Sequence, residues 1–184
     1  MIENTRKTTF GLSSDFYRTS VGLFCAMLLT TSGAVAGAWS EFEQRCLAPF
    51  EAVERPDLSG LTKGAATIFG QLGEGFAQTA DANAVYTFPA AELELMVIAP
   101  SDRAYSGCMV VGRGAAADAA DQRAADAWLQ VQIEAERYDE VAGSVLGPAY
   151  HSTVWREPKL RFVRLITDAP RVVVYGISET DYES

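Results

Sequence analysis

The stretch GCMVVGRGAAADAADQRAADAWLQVQIEAERY, Gly107 to Tyr138, decides the fold. It opens as a short apolar strand, Cys108-Met109-Val110-Val111, and turns at Gly112-Arg113-Gly114. One long helix follows. Asp118 is placed to cap it, and Asp118, Asp121 and Asp126 put negative charge near its positive end. Ala117, Ala120, Ala124, Ala127, Trp128, Val131, Ala135 and Tyr138 recur at three- and four-residue steps, which predicts one buried stripe. The alanines permit close approach to a sheet, and Trp128 supplies bulk. Leu129 and Ile133 fall on the opposite side. Either an N-terminal helix covers them or they face a partner, and coverage is the favoured reading.

Working outward, Ser40 and Glu43 form a capping-box pattern that predicts a helix start. Trp39, Phe42, Cys46, Phe50 and Val53 then form one apolar stripe, which turns Cys46 inward. Pro49 must end or kink that helix. Leu58 to Asn83 holds Gly60, Gly64, Gly70, Gly73 and Gly75. Ile68, Phe69, Leu72 and Phe76 suit a short helix, but each glycine costs about 1 kcal/mol in a helix interior. A short helix and an irregular cover over the core are equally supported. Val85–Phe88, Glu92–Ala99 and Gly107–Gly112 read as an antiparallel meander. In its second strand Leu93, Leu95 and Val97 alternate with Glu92 and Glu94. After the long helix come Ala149–Trp155, Leu160–Thr167 and Arg171–Ile177, separated by Glu157-Pro158 and Asp168-Ala169-Pro170. The expected fold is α+β: a mostly antiparallel sheet of five to six strands, one long helix packed on a face, and an N-terminal helix.

The first 36 residues read as a signal peptide. Val21 to Leu29 is a compact apolar run behind Arg6, Lys7 and Arg18, and small residues follow it. Cleavage after Ala36 or after Ala38 satisfies the small-residue rule. Residues 37–184 then form a single exported domain, periplasmic or secreted. An uncleaved anchor is the alternative, since Val21–Ala38 is just long enough to span, although its second half is weakly apolar. With cleavage, no stable membrane insertion is expected. The full chain carries 15 basic and 24 acidic residues. The leader removes three basic and two acidic, leaving 12 against 22, a net charge of −10. That balance argues against nucleic acid and anionic lipid as partners. Three cysteines become two once Cys25 is lost, and Cys46 with Cys108 reads as a disulfide in an oxidising compartment.

Catalytic chemistry is sparse. His151 is the single histidine. Its neighbour Ser152 points to the other face of a strand, and no Gly-x-Ser-x-Gly elbow exists. Glu92/Glu94 and Asp139/Glu140 are the nearest carboxylate pairs, but alternating charge usually marks a solvated face. One histidine and two bridged cysteines leave no zinc site, and no EF-hand pattern is present. No cofactor is expected. Gly70-Gln71-Leu72-Gly73-Glu74-Gly75 lacks the Gly-Lys-Ser/Thr ending of a phosphate loop. Trp155-Arg156-Glu157-Pro158 reads first as a turn, and second as an aromatic and a guanidinium offered to a ligand. Arg161 and Arg164 lie nearby, on opposite faces of one strand. An exported binding or accessory protein with a protein or small-molecule partner is therefore the leading expectation. The alternatives are a small hydrolase-like enzyme using His151 or a carboxylate pair, and a membrane-tethered extracytoplasmic domain.

The leader, Glu43-Gln44-Arg45-Cys46-Leu47-Ala48-Pro49-Phe50, the Cys108 strand, Trp155-Arg156-Glu157-Pro158 and the acidic terminus Glu179–Ser184 together resemble a group of small, uncharacterised exported bacterial proteins. That resemblance implies a periplasmic or secreted domain. It carries over no activity and no catalytic residue.

Overall fold

Eight strands form one antiparallel sheet in the order β1-β2-β3-β4-β8-β7-β6-β5. They are β1 (Thr62–Gly64), β2 (Ala84–Thr87), β3 (Leu93–Ile98), β4 (Gly107–Arg113), β5 (Tyr138–Val141), β6 (Ala149–Arg156), β7 (Lys159–Asp168) and β8 (Arg171–Thr180). The computed structural model describes residues 37–89, 92–99, 106–141, 147–156, 159–168 and 171–180. All lie in one compact unit, Gly33–Ser184. Residues 1–36, on which the signal-peptide reading falls, and residues 100–105 and 181–184 lie outside the described residues.

The count of eight corrects the expectation of five to six. The six interior strands fall within three residues of their sequence-read positions. The two additions are the sheet's edges, β1 and β5. Every residue of β1 is exposed, and β5 exposes Asp139 and Glu140. An edge strand needs backbone pairing on one side only, so it lacks the apolar alternation that betrays the others. The two meanders, β1 to β4 and β5 to β8, join where β4 pairs with β8, with Val110 opposite Tyr175 and Val111 opposite Val174.

One face of the sheet is covered by the N-terminal helix and the long helix. The former runs as α1 (Ala38–Phe42), widens to a π-helix over Glu43–Leu47 and closes as α2 (Ala48–Glu51). Pro49 has no N–H to give the Arg45 carbonyl, and the Asp57 N–H supplies that bond at 3.1 Å. The expected Ser40 cap is replaced. Helix α1 begins at Ala38, Ser40 Oγ donates to the Gly37 carbonyl, and the capping carboxylate is Asp121, which accepts from Trp39 N at 2.7 Å and Ser40 N at 3.4 Å. Trp39, Phe42, Trp128, Tyr138, Phe162 and Tyr175 form an aromatic cluster; Trp39 lies 5.3 Å from Trp128 and 5.2 Å from Tyr175, centroid to centroid.

The long helix is α4 (Ala119–Glu134), capped by Asp118 as expected, with Asp121 N donating to its carboxylate at 2.7 Å. Its buried stripe is Ala125 and Leu129, flanked by half-buried Asp121, Gln122, Trp128 and Gln132. This corrects the predicted stripe: Ala120, Ala124, Ala127, Val131 and Ala135 are exposed. The true face is rotated by about one residue step, about 100°. Leu129 belongs to the same buried cluster as Trp39 and Phe42, whereas Ile133 is 39% exposed. Tyr138 is not helical; it starts β5 and donates its hydroxyl to Glu51 at 3.3 Å.

Cys46 and Cys108 are fully buried, with sulfurs 1.97 Å and Cα atoms 5.4 Å apart. That disulfide ties the N-terminal helix to β4. The opposite face is covered by the glycine-rich segment, which folds as a 3₁₀ turn (Phe69–Gln71) and α3 (Glu74–Asp81). Ile68, Phe69 and Ala80 pack there against Val85, Met96, Met109, Val111, Val163 and Val174.

Candidate functional site

A single carboxylate sets the roof of the candidate site. Glu94 points from β3 toward the glycine-rich segment and is 2% exposed. It accepts three consecutive backbone N–H groups: Thr67 at 2.7 Å, Ile68 at 2.9 Å and Phe69 at 3.1 Å. These are the donors a turn or helix start leaves unpaired. The charge is thereby compensated, and the segment is fixed over the sheet. Glu94 is therefore structural, and it does not pair with Glu92, which is exposed and bridges to Arg113 at 3.3 Å. Asp139 and Glu140 also form no pair, because neighbours on a strand face opposite ways.

Between this roof and the sheet lies a cavity of about 280 Å³. Leu72, Gly73, Gly75 and Phe76 form its upper wall, and Ile98, Met109, Val163 and Gly176 its lower one. At Gly176 an added Cβ would meet Met109 Cε at 2.9 Å and Val163 Cγ2 at 3.0 Å, so the glycine leaves room for the end of the Met109 side chain. The polar lining comes from Arg161, Ser178, Thr79 and Glu74. Arg161 Nε is buried and has no hydrogen-bond partner. The residue as a whole is half-buried, so one guanidinium donor is left without an acceptor at the cavity wall. Helix α3 starts at the same cavity. Its N-cap is Gly73, which offers no side-chain acceptor, so the first-turn N–H groups gain no cap.

Strand register extends the polar lining sideways. Asp139 lies opposite His151, His151 opposite Arg161, and Arg161 opposite Ser178. All four share one sheet face, as directly opposed residues do. Arg161 and Ser178 line the cavity; His151 and Asp139 continue the row beyond it. Ser152 is 3% exposed on the other face, so it and His151 do not converge. Comparison with family models, curated proteins and solved structures finds no match to this chain. The site's chemistry must be read from its own residues.

Of the residues singled out from sequence, Leu129 is core and Ile133 lies at the surface of α4. Trp155 and Arg156 end β6, with Arg156 opposite Lys159; their side chains lie outside the described residues. Arg164 leaves the strand on the face opposite Arg161 and pairs with Asp126 of α4. Sequence reading did not single out Arg161 as a site residue. The one signal available was its strand parity, shared with Val163 rather than with Arg164. Among the described residues no group of three or more His, Cys, Asp or Glu side chains could hold a metal ion. No helix among them is long and apolar enough to cross a membrane.

Proposed function

We propose that this is an exported, non-enzymatic binding protein, periplasmic or secreted, whose cavity under α3 takes a small apolar carboxylate. The observation that carries the reading is Arg161: a guanidinium whose buried Nε has no hydrogen-bond partner, in a largely aliphatic cavity. An anionic headgroup offers the missing counter-charge, and the uncapped first turn of α3 favours the same sign. The remaining wall suits a short alkyl or aryl body. At about 280 Å³ the cavity stands at the lower end of small-ligand sites, which favours a chain of octanoate length over a long fatty acid. The net negative charge of the chain weighs against polyanions; within the cavity the local guanidinium governs.

Titration calorimetry with octanoate and 1-octanol tests this. Octanoate should bind saturably and at least about tenfold more tightly than the alcohol, as a charge-assisted hydrogen bond provides. Arg161→Met should abolish that preference. The same variant should leave the ligand-free protein at least as stable, because it removes a buried Nε–H that has no acceptor. Absence of saturable octanoate binding, or an unchanged preference in Arg161→Met, would overturn the reading. The Asp139–His151–Arg161 row gives a second reading, hydrolysis of an acyl ester with His151 as base. Turnover of p-nitrophenyl octanoate that is lost in His151→Ala would establish it in place of simple binding.

A further inference from the structure

We propose that the chain is cut between Ala36 and Gly37, and that the α-ammonium released on Gly37 forms an ion pair with Asp121. This stands independently of the ligand reading. Gly37 is the N-cap of α1, and its atoms lie against the Asp121 carboxylate: an ideal Cβ on Gly37 would fall 1.9 Å from Asp121 Oδ1. The carboxylate already accepts the Trp39 and Ser40 N–H groups. No cation faces it. Among the described residues the charge that bears on it is Asp118, which is also negative. Tyr175, fully buried and packed on Trp39, has a hydroxyl without a hydrogen-bond partner; burial, and after it the Asp121 charge, holds that phenol's pKa up. Burial raises the Asp121 carboxyl above its ordinary range, while the Trp39 and Ser40 hydrogen bonds pull it down. A half-buried carboxylate with two neutral donors and no counter-charge is a receptor for one cation.

The small-residue rule allows cutting after Ala36 or after Ala38, and the packing separates them. Ala38 is 0% exposed, and its Cβ lies 2.8 Å from where a Cβ on Gly112 would stand. Cutting after Ala38 would remove the Gly37 carbonyl, which accepts from Glu41 N at 3.2 Å and Ser40 Oγ at 3.1 Å, and a core methyl against β4. Cutting after Ala36 removes neither. A leader peptidase adds water across the Ala36–Gly37 amide; the carboxylate leaves with the leader, and Gly37 keeps an amine that is protonated at neutral pH. The neutral amide nitrogen of Gly37, the residue whose Cα lies against Asp121, becomes a full positive charge.

The test uses the full chain, exported and recovered, then sequenced from its N-terminus. Gly37 should be the first residue. Urea denaturation of that protein is then compared, from pH 6 to pH 10, with the same chain Nα-acetylated, since the acetyl group restores the precursor's amide. An amine whose folded pKa is raised stabilises below its unfolded value, near 8, and loses that contribution as pH rises through the folded value. The free-amine form should have a folding constant about tenfold larger at pH 6.5, a gain that corresponds to a pKa raised by one unit. The gap should close toward pH 10, and Asp121→Asn should abolish it at every pH. A mature terminus at Trp39, a retained leader, or identical pH profiles for the two forms would each overturn the proposal.

Discussion

Glu94 shows how one residue fixes a segment that carries no periodic signal of its own. Its strand parity matches Glu92 in the sequence, and alternation suggests that both face water. The structure instead buries Glu94 and gives it three backbone donors, two of them, Ile68 N and Phe69 N, themselves buried. Glu94→Gln keeps one carbonyl oxygen for three N–H groups and should cost about 2 kcal/mol in urea denaturation; Glu94→Ala should cost about 4, since hydrogen bonds to a charged group contribute about 1.5–3 each. Hydrogen exchange localises the effect. Amides 67–69 should lose protection in both variants while the β3–β4 amides keep theirs. Equal loss across the sheet would mean that Glu94 supports the whole core rather than the roof. The cavity test follows the same logic: octanoate affinity should fall in Glu94→Gln although Glu94 does not line the cavity.

Both longer helical segments end in a left-handed residue that is not glycine. Val53 has φ +59° and Glu136 φ +55°. Around Val53, Glu54 N bonds Pro49 O at 2.7 Å and Val53 N bonds Phe50 O at 3.1 Å; around Glu136, Arg137 N bonds Gln132 O and Glu136 N bonds Ile133 O, both at 2.9 Å. Each is a Schellman motif, where glycine avoids a steric cost of about 1–2 kcal/mol. Val53→Gly and Glu136→Gly should each raise stability, by about 1 kcal/mol by thermal denaturation. Val53 should gain more, because it is β-branched and 70% exposed, so little packing is lost. Elements of this kind mark the limit of sequence reading. The six interior strands were legible because burial on at least one face imposes alternation or apolar runs. Edge strands β1 and β5 were not, since pairing on one side asks nothing of their side chains. The face of α4 was misread because alanines occupy both sides, and the choice was made by Leu129 packing with Trp39 and Phe42. The glycine-rich segment was illegible for a different reason: its shape comes from Glu94, 25 to 27 residues away.

At the scale of the molecule, the sheet is covered on both faces, but the two covers are held differently. The glycine-rich cover is attached through the buried Glu94 carboxylate, exposed hydrogen bonds from Arg113 to Gln71 and from Ala99 to Asn83, and apolar packing. The helical cover is attached through the aromatic cluster, the Asp121 cap and a covalent link. The Cys46–Cys108 bridge spans 62 residues and encloses the whole glycine-rich segment together with β1, β2 and β3. A loop of that length contributes about 4 kcal/mol in the chain-entropy account, because the unfolded chain is the state it restricts. Both cysteines are fully buried, so the oxidised protein should resist mild reductant until it unfolds. Cys46→Ala/Cys108→Ala should therefore fold to the same eight-stranded sheet, with a urea midpoint lower by about 2 M for a chain of this length. Octanoate affinity should stay within about twofold, because the bridge lies on the sheet face opposite the cavity and its main action is on the unfolded state. A double variant that keeps its midpoint would show that the bridge constrains little. One that keeps its fold but loses octanoate binding would show that the two faces of the sheet are coupled through β4, where Cys108 packs on one face and Met109 lines the cavity on the other.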